Sequence, residues 1–248
     1  MRISEVTQPT NEGVNDPNIF KAVFMAGAPG AGKSTVSRML FGNTGLKQLN
    51  VDNFWALYNK TGRSGDYDKF WKHYQNQEKG LVAGRLGLII DGTAKNPKVI
   101  EEIKTRLESH GYETMMVFVD VSLETSLKRA EARAADRNSP DFGRTIDPEF
   151  IKTTYKRIQD GADQLRSLFG NNFFTVSNEA DSPNTARVER QIRRWINTPV
   201  RNEIAQAWID NQKNMSRSRV QPRTHTPSEP PKSVPPDQEP SSQEKART

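Results

Sequence analysis

Residues 27–34 read GAPGAGKS, and Thr35 follows them. The preceding residues 19–26 (IFKAVFMA) form an apolar run with the composition of a buried strand. Residues 33–41 then place apolar side chains at helical spacing. The pattern G-x-x-x-x-G-K-[ST] between a strand and a helix predicts a loop whose backbone N–H groups converge on phosphate oxygens, at the positive end of the helix.

Each part of this loop has a predicted task in binding a nucleoside triphosphate, with ATP as the expected donor. Lys33 is expected to reach the β and γ phosphates, and the hydroxyl of Ser34 to bind Mg²⁺. The alternative is a glycine-rich turn without a ligand, which the flanking strand and helix disfavour. The predicted cofactor-binding residues of the loop are Gly27, Ala28, Pro29, Gly30, Ala31, Gly32, Lys33, Ser34 and Thr35.

Strand-like and helix-like stretches alternate five times between residues 19 and 177. Such alternation predicts βα units, and therefore an α/β fold with a parallel sheet and helices on both of its faces. The predicted helices lie at residues 33–41, 67–86, 97–110, 122–137 and 147–169. The predicted strands are residues 19–26, 46–51, 88–90, 114–121 and 173–176.

The polarity of the chain is concentrated at its ends, which predicts how it divides into domains. Residues 212–248 contain no Ile, Leu, Phe, Tyr or Trp and hold 7 of the 15 prolines, so we expect a disordered, basic tail there. Residues 1–18 are expected to form a flexible arm, and residues 19–180 the folded domain. Apolar spacing in residues 181–211 predicts a helical extension.

Composition narrows the classes of function. The chain has no cysteine, which excludes disulfides, thiolate-bound zinc and a thiol nucleophile. Its 3 scattered histidines disfavour a histidine metal site. It has neither a run of 18 apolar residues nor an apolar N-terminal signal segment, so we expect no membrane contact and a cytoplasmic location. The net charge is +6 and the sequence pI is near 9.5, which suits a polyphosphate or nucleic-acid partner.

Motifs that the chain lacks separate phosphate transfer from hydrolysis. Residues 59–62 (NKTG) lack the acid of the Asn-Lys-x-Asp signature for guanine, which disfavours a GTPase. Asp91, at the end of a predicted strand, is followed by Gly92, where many ATPases carry the glutamate that activates water. A kinase that transfers phosphate to a bound acceptor is therefore favoured.

Acidic residues at strand ends are candidates for the acceptor side of the site. Asp52 follows the second predicted strand, where a carboxylate beside an acceptor hydroxyl acts as a general base; the alternative is a simple helix N-cap. Asp91 and Thr93 follow the next strand and are expected to bind the acceptor, with Asp91 also holding Mg²⁺ through water. The alternative for this pair is a turn that closes the strand.

Arginines around residues 138–146 are the candidates for neutralising phosphate charge. Arg129 and Arg133 share one face of a predicted helix, and Arg144 lies in the loop after it. Arginine stabilises the charge that spreads over a phosphoryl group during transfer, so we expect this group to stabilise the transferred phosphate, with Arg133 as a cofactor-binding residue. The alternative is a solvent-exposed helix face paired with nearby acids.

The ordered set of these motifs resembles the zeta-toxin-like branch of P-loop kinases, which is related to polynucleotide 5′-hydroxyl kinases. The resemblance spans about residues 21–177 and implies a three-layer fold with a five-stranded parallel sheet of strand order 2-3-1-4-5. The motifs that carry it are residues 27–34 (GAPGAGKS), 51–54 (VDNF), 88–93 (LIIDGT), 111–114 (GYET), Arg129 and 143–144 (GR).

The resemblance also implies roles for the residues that match these motifs. Lys33 would contact the transferred phosphate, and Asp52 would activate the acceptor hydroxyl. Arg129 and Arg144 would neutralise the transition state and are counted as catalytic. Asp91 stands where zeta toxins carry a substrate-contacting acid, although a glutamate is expected there.

The acceptor is the least determined part of the prediction. Zeta toxins phosphorylate UDP-N-acetylglucosamine, so the predicted acceptor is a UDP-sugar. The basic composition keeps the 5′-hydroxyl of a polynucleotide as an alternative acceptor, and a nucleotide-dependent binding module without transfer activity is a third hypothesis. The resemblance to toxins also implies an inhibitory protein partner.

Overall fold

One parallel sheet is built around the apolar run that precedes the glycine-rich loop. The computed structural model describes residues 13–60, 66–137, 143, 145–179 and 185–220. The strands are β1 (Lys21–Ala26), β2 (Lys47–Asn50), β3 (Leu88–Asp91), β4 (Glu113–Asp120) and β5 (Phe173–Ser177). Every pairing is parallel and the order is β2-β3-β1-β4-β5, so the strand order predicted from the sequence is confirmed.

The position of β1 and β4 in the middle of the sheet explains why their sequences are almost continuously apolar. β1 pairs with β3 on one edge and β4 on the other, and every residue of β1 is buried. The middle of β4, Met115 to Val119, is also buried, with exposed fractions of 5% or less. Strands covered on both faces have no solvent side, and the alternation of polar and apolar residues is therefore lost.

Eight helices surround this sheet in the part of the chain that the structure describes. α4 and α6 contact each other, and the right-handed connections that parallel strands favour put both on the face opposite α1. Within the described ranges, none of the helices is both long and apolar enough to cross a membrane. The helices are α1 (Lys33–Phe41), α2 (Val51–Lys60), α3 (Tyr67–Ala83), α4 (Pro97–Ser109), α5 (Leu123–Ala135), α6 (Pro148–Phe169), α7 (Ala186–Asn197) and α8 (Glu203–Val220).

Local sequence signals determine where several helices begin. The side chain of Asn96 accepts a hydrogen bond from the Lys98 N–H at the start of α4, and Pro97 occupies the first turn. Ser122 caps α5 and Asp147 caps α6 in the same way. Such caps satisfy N–H groups that have no partner within the helix.

Two helices differ from the sequence prediction. α2 begins at Val51, directly after β2, whereas the sequence places a strand up to that residue. α8 continues to Val220, past residue 211, where the sequence predicts that the folded part ends. Residues 212–220 carry few apolar side chains but no proline, and Pro222 is the first residue that would block a helix.

The two C-terminal helices pack against the amino-terminal end of the sheet. α7 buries Val188, Ile192 and Ile196 in the main core. In α8, the ring of Trp208 lies edge-on to Phe20, with centroids 5.5 Å apart. The predicted helical extension is thus part of the same core as the sheet.

Candidate active site

The glycine-rich loop lies at a topological switch point of the sheet, where successive strand connections run in opposite directions. The connection after β1 leads to β2 at one edge of the sheet, and the connection after β3 leads to β4 on the other side of β1. Ligands of open α/β sheets bind at the carboxyl ends of the strands beside such a point. Residues 27–32, which follow β1, therefore lie at the expected ligand position.

The backbone of the loop requires glycine at three positions. Gly27, Gly30 and Gly32 have φ angles of 148°, 82° and 80°, which side chains rarely permit. A Cβ on Gly27 would also lie 2.6 Å from the carbonyl oxygen of Val119, and one on Gly30 would overlap the carbonyl of Ser126. The loop is therefore packed closely against β4 and α5.

Lys33 is the centre of a cluster of charges. Its ammonium nitrogen Nζ donates to the carbonyl oxygens of Gly27, at 3.0 Å, and Ala28, at 3.2 Å. Burial lowers the pKa of Lys33; the carboxylate of Asp91 opposes this, Arg133 adds to it, and Asp52 opposes it. The charges of three other predicted site residues thus act on Lys33.

Asp91 ends β3 and offers an unused carboxylate oxygen. Its Oδ2 accepts a hydrogen bond from Asn50 Nδ2 at 2.6 Å and lies 3.5 Å from Gln48 Nε2. Its Oδ1 is buried and has no hydrogen-bond partner among the described residues. A buried oxygen of this kind needs a partner, and its place near Lys33 suits a ligand group.

These donors fit a magnesium ion. Ser34 and Thr35 are exposed in the first turn of α1, beside Lys33. Mg²⁺ prefers hydroxyl and carboxylate oxygens, and it is commonly held by one or two protein groups together with the phosphates of a nucleotide. Ser34 Oγ and Asp91 Oδ1 are oxygen donors of these two types.

Asp52 lies in the first turn of α2 and is exposed to solvent. The sequence places it at the end of a strand, with a helix N-cap as the alternative, and the structure corrects both. β2 ends at Asn50, and it is Asn50 Oδ1 that accepts the hydrogen bond from the Asn53 N–H, at 2.8 Å. The carboxylate of Asp52 is not the cap of α2, and it contributes to the field at Lys33 instead.

Thr93 lies beside the start of the glycine-rich loop. Its carbonyl oxygen accepts a hydrogen bond from the Gly27 N–H at 3.4 Å, and Met25 accepts one from Gly92 at 3.3 Å. The turn after β3 therefore runs along the turn after β1. Thr93 therefore lies at the carboxyl edge of the sheet, where the acceptor is predicted to bind.

The three predicted arginines have different positions. The charge of Arg133 lowers the pKa of Lys33, and ATP binding by Arg133 stays a prediction. Arg129 donates to two backbone carbonyls, Asn178 O at 2.6 Å and Glu179 O at 3.3 Å. Arg144 lies outside the described residues.

Sequence reasoning missed three residues that organise the site. Asn50 joins β2, β3 and α2 through its side chain. Asn178, which follows β5, donates from Nδ2 to the carbonyl oxygen of Ala31 at 2.7 Å. Glu179 accepts hydrogen bonds from the first turn of α5. Their common signal is a polar residue at the carboxyl end of a strand, which also identifies Asp91.

Comparison with protein families identifies the central part of the chain. A family model described as an AAA domain matches residues 23–147, which is half of the chain. A viral protein, from Autographa californica nuclear polyhedrosis virus, is 27% identical over 160 residues. Its name describes a bifunctional polynucleotide kinase/RNA ligase. The match covers 57% of this chain but only 21% of the viral protein.

Two solved structures share the fold at low sequence identity. A protein of Chloroflexus aurantiacus j-10-fl, described as a kinase, has a TM-score of 0.50 and 13% identity, and covers 70% of this chain and 97% of its own. The complex of AvrRxo1-ORF1 and AvrRxo1-ORF2 with ATP has a TM-score of 0.51 and 13% identity, with coverage of 69% and 63%. The P-loop kinase fold predicted from the sequence is confirmed.

Proposed function

The chain belongs to the AAA domain family, and on that premise we propose that it is an ATP-dependent phosphotransferase with a hydroxyl acceptor. The observation that carries the proposal is the arrangement around Lys33. Its ammonium group donates to the carbonyl oxygens of Gly27 and Ala28 in the loop. The charges of Asp91, Arg133 and Asp52 also shift its pKa. A phosphate-binding loop, a base and charge-neutralising groups are the parts that phosphoryl transfer needs.

In the proposed reaction the chain binds ATP and orients it. Backbone N–H groups of the glycine-rich loop hold the phosphates, and Lys33 exchanges its loop carbonyls for phosphate oxygens. Mg²⁺, when bound by Ser34 and Asp91, supplies positive charge to the β and γ phosphates. Arg133 neutralises charge on the same group.

Asp52 is the proposed general base. Its carboxylate takes the proton of the acceptor hydroxyl as the acceptor oxygen bonds to the γ phosphorus. The bond from that phosphorus to the oxygen it shares with the β phosphate breaks, and ADP leaves. Asp91 and Thr93 are proposed to hold the acceptor. The catalytic roles of Arg129 and Arg144 follow only from the resemblance to zeta-toxin-like kinases.

Two acceptors are proposed, and different observations favour them. The resemblance to zeta toxins favours a UDP-sugar. The viral relative, whose name includes a polynucleotide kinase, favours the 5′-hydroxyl end of a polynucleotide, and the net charge of +6 suits that polyanion. An inhibitory protein partner and a cytoplasmic location remain predictions from the sequence.

The test uses γ-labelled ATP and Mg²⁺ with two acceptor pools, UDP-sugars and 5′-hydroxyl oligonucleotides. We expect label on one pool, and we expect Asp52→Asn to reduce transfer by about a hundredfold or more while ATP affinity stays nearly unchanged. Lys33→Ala is the control that removes phosphate binding.

The outcomes separate the hypotheses. Label on an oligonucleotide, with transfer that falls steeply as salt rises, identifies a polynucleotide kinase, because neutralised phosphates release counterions. Label on a sugar identifies the UDP-sugar reaction. ATP binding without label on either pool contradicts transfer to these acceptors and favours the nucleotide-dependent binding module. Full transfer by Asp52→Asn excludes this carboxylate as the base.

A further inference from the structure

Asn178 connects the far edge of the sheet to the glycine-rich loop. Its backbone N–H donates to Asp120 O at 2.9 Å, which fixes the residue beside the end of β4. Its side chain is 5% exposed, and Nδ2 donates to Ala31 O at 2.7 Å. This is a buried hydrogen bond between residues far apart in the chain, and it reaches the last turn of the loop before Lys33.

The amide of Asn178 also fills the space beside Gly32. A Cβ on Gly32 would overlap Asn178 Nδ2, and the φ angle of Gly32 is 80°. The glycine therefore has two reasons to be present, its backbone conformation and the closeness of this amide. Both fix the direction in which α1, and with it Lys33, leaves the loop.

Helix α5 holds the other half of the loop. Ser126 Oγ donates to Pro29 O, and the carbonyl of Ser126 lies against Gly30. Ser126 is completely buried. The loop is thus held from two elements, α5 at residues 29–30 and the end of β5 at residues 31–32.

Arg129 joins these two supports. It is half-buried on α5, one turn after Ser126, and it donates to the carbonyls of Asn178 and Glu179. The carboxylate of Glu179 in turn accepts from the Ser122 N–H at 2.6 Å and from Ser122 Oγ at 2.7 Å. The end of β5 is therefore tied to α5 along two helical turns.

We propose that Asn178 is a positioning residue for ATP binding and that Arg129 acts through it, holding the loop in its phosphate-binding shape. Arg129 then contacts protein carbonyls instead of the transferred phosphoryl group. The inference rests on the proposed function in one respect, namely that the loop binds ATP. A loop that is already in its binding conformation loses less entropy when the phosphates bind. The effect of Asn178 and Arg129 is therefore expected in ATP affinity.

The first measurement is the affinity of a non-hydrolysable ATP analogue for the full chain, by calorimetric titration with Mg²⁺. Asn178→Asp keeps the size of the side chain but places an oxygen against Ala31 O, so we expect affinity to fall about tenfold or more. Asn178→Ala serves if the aspartate variant does not fold. Lys128→Ala, an exposed change on α5, is the matched control and should bind like the wild type.

The second measurement separates positioning from catalysis by Arg129. We expect Arg129→Ala to weaken analogue binding as Asn178→Ala does, and the double variant to bind no more weakly than the poorer single variant. Melting temperatures without nucleotide show whether each variant is folded. In the transfer assay, KM for ATP should rise while kcat changes by less than about threefold.

Three results would overturn the inference. One is Asn178→Asp binding the analogue like the wild type while Lys33→Ala does not. Another is Arg129→Ala with unchanged analogue affinity and a large fall in kcat, which places Arg129 on the transferred phosphate. The third is full additivity of the two changes. If Lys33→Ala also binds normally, the proposed ATP site itself fails, and this inference fails with it.

Discussion

The carboxylate of Glu179 is held in its charged form by the start of α5. The hydroxyls of Thr125 and Ser122 and the backbone N–H of Ser122 donate to it. These hydrogen bonds, with that of Thr125 the largest effect, lower the pKa of Glu179 from 4.5 to about 2. An exposed side chain thereby becomes an attachment between β5 and α5.

Acid should weaken this attachment. Because the folded-state pKa is the lower one, the stabilisation is complete above pH 4.5 and is lost as pH falls towards 2. We expect Glu179→Gln to lower the free energy of unfolding at pH 6 and to bring it closer to that of the wild type at pH 2–3. Urea unfolding at several pH values measures this.

The control for this prediction is Glu131→Gln, an exposed change on α5, the helix that Glu179 contacts. It should keep the acid dependence of the wild type. A Glu179→Gln variant with the same loss of stability between pH 6 and pH 2 as the wild type would contradict the role of this carboxylate.

Residues with a local signal can be proposed as site residues from the sequence, and residues whose partner is distant in the chain cannot. Lys33 and Ser34 belong to a contiguous motif, and Asp91 directly follows the apolar residues 88–90. Asp52 was chosen from a strand that ends two residues earlier, at Asn50. Asn178 acquires its role only because the fold brings it against Ala31. No pattern in the neighbourhood of residue 178 specifies that contact.

At the scale of elements, α2 and α3 form a pair held by aromatic rings. Phe70 of α3 packs edge-on against Trp55 of α2, with centroids 4.7 Å apart. The predicted helices omit α2, and only the alternative reading of Asp52 as an N-cap implies a helix there. A helix this short gains its stability from packing, here against α3. The rings that contribute to the pair are Phe54, Trp55, Tyr58, Tyr67, Phe70, Trp71 and Tyr74.

Two helical glycines should respond in opposite ways to alanine. A Cβ on Gly80 in α3 meets nothing within 4 Å, so Gly80→Ala should stabilise the protein by up to about 1 kcal/mol. A Cβ on Gly161 in α6 would lie 2.6 Å from Pro97 Cγ, at the start of α4. Gly161→Ala should therefore destabilise the protein by about 1–3 kcal/mol.

Urea unfolding followed by tryptophan fluorescence measures both changes, and each variant is the control for the other. Stabilisation by Gly161→Ala would mean that α4 and α6 lie further apart than the structure shows. In that case the close approach of α4 is not the reason that residue 161 is glycine.

For the whole molecule, a buried ion pair joins the sheet to its C-terminal helices. Lys21 begins β1 and its side chain is 0% exposed, 2.5 Å from Glu113 Oε2 and 3.0 Å from the carbonyl of Thr198. Its ammonium lies 4.7 Å from the ring centre of Trp195. Glu113 Oε1 also accepts the Arg201 N–H at 2.6 Å. Burial lowers the pKa of Lys21, and Glu113 opposes that shift.

Removal of one partner should therefore be costly. Glu113→Gln leaves the buried ammonium without its counter-charge, and we expect a loss of about 3–5 kcal/mol in the free energy of unfolding. The exposed pair Lys152–Glu149 is the control, and Glu149→Gln should cost less than about 1 kcal/mol. Equal losses in urea unfolding would show that the buried pair has no special role.

The parallel sheet was predictable from the alternation of strand-like and helix-like stretches, and its strand order was implied by the resemblance to zeta-toxin-like P-loop kinases. The length of the C-terminal helices was not predictable from the sequence. The sequence between residues 212 and 220 is polar, and polarity alone does not separate an exposed helix from a disordered segment.

The central strand β1 and the edge strand β2 should differ in how easily they open locally. Amides of β1 are enclosed between two neighbouring strands, so their hydrogen exchange requires opening of the sheet itself. β2 has four residues at an edge and one neighbour, and it can detach at a smaller cost. The proposed acceptor side, with Asn50 and Asp52, therefore belongs to a weakly protected unit that can rearrange while the glycine-rich loop keeps its shape.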